Sequence, residues 1–114
     1  MHLSFSKFKR EEYMSKMYKN FKSFYPFYLT QHTNITCRRL HFIGSALIIF
    51  LFMYVVISGR FKLLFLSPFI GYGFAWVGHF VFEKNRPATF TYPIYSLMGD
   101  WVMFKDILIG KIKF

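Results

Sequence analysis

Residues 41–58 read HFIGSALIIFLFMYVVIS, and no charged side chain falls anywhere in the stretch. At 1.5 Å per residue, a helix of this length runs to ~27 Å, close to the hydrocarbon thickness of a bilayer. Gly59-Arg60 supplies a stop, since glycine closes helices in the left-handed conformation. Beyond it, residues 61–82 form a second apolar run, with Lys62 near its entrance and Pro68, Gly71, Gly73 and Gly78 making it irregular. So short a turn between the runs predicts an antiparallel hairpin of two membrane spans.

Composition agrees. Of 114 residues, 54% are hydrophobic and 24% aromatic, with 17 Phe and 8 Tyr. A soluble fold of this size would leave too much apolar surface in water. The net charge of +10 suits either nucleic-acid phosphates or an anionic membrane leaflet. Only the second explains the long apolar runs, so no nucleic-acid partner is expected. Cys37 is the single cysteine; it allows no internal disulfide and reads as an ordinary thiol at a helix start.

The basic residues orient the hairpin. Eight precede the first span (Lys7, Lys9, Arg10, Lys16, Lys19, Lys22, Arg38 and Arg39). Arg60 and Lys62 flank the turn, and five follow the second span (Lys84, Arg86, Lys105, Lys111 and Lys113). The positive-inside rule then predicts both termini in the cytoplasm, in a bacterial-type inner membrane.

Outside the spans, residues 1–10 read as a mobile basic terminus and 11–114 as one helical domain. Tyr13, Met14, Met17, Tyr18, Phe21, Phe24 and Tyr25 recur at helical spacing opposite Lys16, Lys19 and Lys22, a basic amphipathic helix that Pro26 interrupts. Thr33 or Asn34 is placed to cap the first span. In the tail, Pro93 breaks an aromatic stretch and 98–109 can form an amphipathic helix. Asp100, Lys105 and Asp106 argue against a third crossing and for an interfacial or re-entrant segment. The fold class is all-α membrane protein.

Hairpin geometry brings histidines together. His41 lies 18 residues before Gly59 and His79 lies 19 after Arg60, so two helices of equal rise put them at nearly one depth, at the cytoplasmic end. His32, nine residues before His41, can fold back over the same place. Glu83, four residues after His79, falls on the same face of an α-helix, and Asp100 sits in the tail. Three imidazoles and a carboxylate suit Fe(II), and also Zn(II) or Mn(II). Arg38, Arg39, Arg86 and Lys84 border the same rim, where a carboxylate or phosphate head group can pair with them.

The segments carrying these residues resemble a known family. Tyr28-Leu29-Thr30-Gln31-His32-Thr33-Asn34, then Arg38 to Gly44, then Gly78-His79-Phe80-Val81-Phe82-Glu83-Lys84-Asn85-Arg86-Pro87-Ala88 are similar to the 2-hydroxy fatty acid dioxygenases, formerly a domain-of-unknown-function family of small membrane proteins. The continuation from Thr89 to Asp100 resembles its short bacterial branch. The resemblance implies an Fe(II)-dependent enzyme of fatty acid alpha-oxidation that uses dioxygen, without 2-oxoglutarate, to shorten a 2-hydroxy acyl substrate by one carbon. It makes His32, His41 and His79 metal ligands, and Glu83 a ligand, an orienting group or a base. Glu83 and Asp100 are the candidate catalytic residues, and Arg38, Arg39 and Arg86 the candidate head-group contacts. Against this reading stands a non-catalytic membrane protein that binds lipid or a partner, with a structural metal or none. Haem held by two histidines at equal depth is a third and weaker reading.

Overall fold

The computed structural model describes residues 18–114. The basic terminus and the first turns of the amphipathic helix expected from residue 11 lie outside the described residues. Helix α1 is Phe21–Thr30, opened by Asn20, whose side-chain oxygen accepts from the Ser23 amide at 2.8 Å. Pro26 sits inside α1 rather than ending it. Its fixed φ suits a helix, and in so short an element it forfeits only one backbone bond.

Helix α2 is Ile35–Ser58, six residues longer at its start than the apolar run alone predicts. Asn34 explains the extension: its side-chain oxygen accepts from the Thr36 and Cys37 amides at 2.9 and 3.1 Å, satisfying donors that a helix start leaves open. Arg38 and Arg39 are therefore on the first turns of α2. Gly59 ends it at φ +73°, its amide bonded to the Val55 carbonyl.

A second helical rod follows at once, Phe61–Glu83. It changes winding twice, from a 3₁₀ stretch, Phe61–Leu66, to helix α3, Ser67–Val77, and then to a π turn, Gly78–Glu83. Both rods are long and apolar enough to cross a membrane. They meet at small residues: the positions where Cβ atoms would stand on Gly44, Gly71 and Gly78 lie 3.0–3.2 Å from Phe74, Ile48 and Cys37 respectively. Contact partners therefore fall in number along one rod as they rise along the other.

After a 3₁₀ turn, Ala88–Phe90, helix α4 occupies Pro93–Leu108. Pro93 starts this helix instead of breaking it, because the first helical position needs no amide hydrogen. The buried hydrophobic cluster is Phe24 and Tyr28 of α1 with Tyr92, Met103 and Ile107 at α4. From the rods, Phe42 of α2 packs against that cluster, while many of their apolar side chains turn outward. Ile57, Phe65, Val56 and Phe69 are 77–83% exposed. Among the described residues the chain is all-helical, with no strand.

Candidate metal centre

Three elements each contribute one imidazole. His32 follows α1, His41 stands two turns into α2, and His79 lies in the π turn. All three are buried, and their ligand nitrogens lie within 4.8 Å of one another. Each pair of rings meets edge-on at centroid separations of 4.5–4.8 Å.

The far side of every ring is committed. His32 Nδ1 lies 2.7 Å from the Tyr28 carbonyl, and His41 Nδ1 lies 2.9 Å from the Cys37 carbonyl. His79 Nδ1 lies 2.7 Å from Asn85 Oδ1. All three partners only accept, so each Nδ1 must carry the hydrogen. Each Nε2 is thereby left as a bare lone pair, yet His32 Nε2 and His41 Nε2 stand 3.2 Å apart. Two acceptors facing each other without a hydrogen repel, and a cation between them removes the conflict. Nitrogens bound at ~2.0–2.1 Å to one ion lie about 2.8–3.4 Å apart for right-angled to tetrahedral ligation. The residues present fit a divalent metal.

Electrostatics support neutral ligands. Burial, and then the neighbouring imidazoles of His41 and His79, hold His32 well below its ordinary pKa. Neutral imidazole is the form that binds metal.

Asn85 was not singled out from the sequence. Lys84 takes up φ +58° after the π turn, and the chain reverses so that the Asn85 amide bonds back to the His79 carbonyl at 3.0 Å. The Asn85 side chain then orients His79 with its oxygen while its nitrogen donates to the Gln31 carbonyl at 3.1 Å. Partners of this kind set ligand direction and tautomer. Asn85→Ala is expected to lower divalent-metal affinity about 10–100-fold, measured by competition with a chromophoric chelator; wild-type affinity would refute this role.

Glu83 is elsewhere. Its carboxylate accepts from Thr33 Oγ1 and from the Asn34 amide, both at 2.7 Å, and it is outside the three-histidine group. The same-face expectation assumed α winding. In a π turn, bonded from i to i+5, the residue four further on falls short of a full turn. Glu83 therefore ties the end of the second rod to the start of α2.

Asp100 accepts a hydrogen bond from the Tyr28 hydroxyl. The Tyr28 ring in turn stacks on His32 at a centroid distance of 4.0 Å, and the glycine before Asp100 makes room for it. A Cβ on Gly99 would stand 2.8 Å from the ring. Asp100 and His41 also share the wall of a cavity of ≈ 340 Å³. Burial pushes the Asp100 carboxyl up to about 7, against a smaller lowering by the Tyr28 hydrogen bond. The folded chain thus holds this proton more tightly than the unfolded chain, whose carboxyl titrates near 3.8. Its contribution to stability is full below about pH 4 and is lost as pH rises to about 7. Asp100→Asn should remove that loss, so the unfolding free energies of metal-free wild type and variant should diverge between pH 4 and 7. Parallel curves would contradict it.

The arginines make separate contacts. Arg38 Nη1 donates to the His32 and Thr33 carbonyls at 3.2 and 3.4 Å, and its buried Nε has no partner among the described residues. Arg39 donates to the Phe114 carbonyl at 3.3 Å and lies over the Phe114 ring. Arg86 lies over Phe90. Cys37 is fully buried, with Gly78 against it, consistent with an ordinary thiol.

A family model described as 2-hydroxy-palmitic acid dioxygenase Mpo1-like matches residues 18–112. No curated protein and no solved structure matches the chain.

Proposed function

The chain belongs to the 2-hydroxy-palmitic acid dioxygenase Mpo1-like family, and from that premise we propose that it is a membrane-embedded Fe(II)-dependent dioxygenase of 2-hydroxy fatty acids. The observation that carries the reading is the set of three buried Nε2 lone pairs, each aimed by an Nδ1–H bond to a fixed acceptor. In this reading the two rods form an antiparallel transmembrane hairpin with both termini in the cytoplasm, and α1 and α4 cap its cytoplasmic end.

His32, His41 and His79 hold the metal. Bound there, Fe(II) supplies binding and activation of dioxygen, together with coordination of the substrate's oxygens. The remaining work belongs to the chain. Tyr28, Cys37 and Asn85 keep the ligands in one tautomer. Glu83 acts as an orienting group, because both its oxygens hold the start of α2. Asp100 faces the cavity beside His41 and is the group placed to exchange a proton with the 2-hydroxyl. Arg38, Arg39 and Arg86 are the cationic residues at the rim from which the carboxylate would take its contact.

Conversion of a 2-hydroxy acid to the acid one carbon shorter and carbon dioxide releases four electrons, which one dioxygen accepts in becoming water. No 2-oxoglutarate is needed. The test is to load the full chain with Fe(II) without oxygen in lipid nanodiscs, then admit dioxygen with 2-hydroxypalmitate. Formation of the fifteen-carbon acid is expected. Its absence, with iron bound, refutes the activity.

A further inference from the structure

The cavity beside the metal cluster is a trough, and its lining has an order. On α2 it is walled by His41, Ser45, Ile48 and Phe52, spaced four, three and four apart, which is one helix face. From His41 to Phe52, eleven rises of 1.5 Å, the face runs ~16 Å along the helix axis. The second rod supplies the opposite wall from Ser67 to Ala75, and α4 closes the side with Leu97 and Trp101. The ionisable groups of the lining, His41 and Asp100, stand at one end; toward the other, Ile48, Phe52 and Pro68 are apolar and the Ser67 hydroxyl is spent on the Leu64 carbonyl. A long narrow space with one polar end fits a linear apolar chain that carries its reactive group at one terminus.

We infer that this trough is the acyl-chain site, with the substrate's α-carbon at His41 and Asp100 and its methyl end toward Phe52 and Pro68, so that Gly71 and Phe52 set the chain length accepted. The identity of the occupant rests on the dioxygenase reading. The placement rests on the cavity itself. Gly71 stands midway: its missing side chain leaves the trough open opposite Ile48, whose terminal methyl would be 3.2 Å from a Cβ there. Phe52 closes the far end and is half exposed, so the fold tolerates its truncation.

Binding without turnover tests the inference. The full chain in nanodiscs, metal-free, is loaded with the fluorescent fatty acid cis-parinarate, which is displaced by 2-hydroxy acids of graded length. Wild-type affinity should rise with chain length to a plateau. Gly71→Leu should weaken the longest acids at least tenfold and leave the shortest within twofold. Phe52→Ala should move the plateau to longer chains, and it keeps the test decisive if Gly71→Leu fails to fold. One unchanged length profile in both variants overturns the inference, even if the iron-loaded enzyme turns over. Shifted profiles uphold the trough, even if turnover is absent and the dioxygenase reading falls.

Discussion

Substitution of His41 by alanine is expected to remove tight divalent-metal binding from the folded chain. The loss should exceed the ~10–100-fold that an outer partner such as Asn85 costs, because a coordinating nitrogen goes. His41 is also the residue whose Nε2 faces His32 Nε2 at 3.2 Å, so its removal erases the lone-pair conflict that a cation would resolve. The apo chain should therefore lose no stability beyond the space vacated by the imidazole, while the metal-dependent rise in stability should vanish. Chelator competition with Fe(II) or Zn(II), read beside thermal unfolding with and without metal, checks both parts. A variant that binds metal as wild type does would end the three-histidine reading. His79→Ala should behave alike, since its ring meets both others.

Tyr28→Ala is expected to cause the largest loss of stability, about 3–5 kcal/mol, the range for emptying a buried aromatic site. Three functions meet on this side chain. Its ring lies fully buried between α1 and α4, its hydroxyl donates to Asp100, and its face stacks on His32. Gly99 lies against the ring, so truncation leaves a space between α1 and α4 that only an inward shift of α4 could fill. Tyr28→Phe isolates the hydroxyl: it keeps the ring and leaves the Asp100 carboxyl without its donor, for about 1–3 kcal/mol. Chemical unfolding in detergent checks the order, with alanine more damaging than phenylalanine. Equal stability of wild type and Tyr28→Ala would mean that the cap does not depend on this packing.

The histidines are supplied by three separate segments, and the α1–α4 packing around Tyr28 helps keep His32 against the rods, beside the bonds from Arg38 to its carbonyl and from Asn85 to the Gln31 carbonyl. Loosening the cap is therefore expected to cost metal affinity as well as stability, since Tyr28 gives His32 both a carbonyl partner and a stacked ring.

The sequence by itself determined the two rods: an uncharged run closed by Gly59, and a second apolar run with a single lysine near its entrance, are each long enough to satisfy their backbone groups within one helix. It also determined the meeting of His41 and His79, since equal residue counts on either side of a short turn put both at one depth. A cap at Thr33 or Asn34 was legible for a local reason, since such a side chain bonds within three residues, and Asn34 takes the role. What lay beyond local rules was decided only in the tertiary structure. The π winding of Gly78–Glu83 has no periodicity to betray it, and it diverts Glu83 from the cluster to Thr33 and Asn34. Asn85 reaches His79 only through the reversal at Lys84, and Asp100 finds Tyr28 across 72 residues of chain. Spacing along a helix predicts which side chains share a face. Which hydrogen-bond partner a polar side chain takes depends on elements that meet only when the chain is packed.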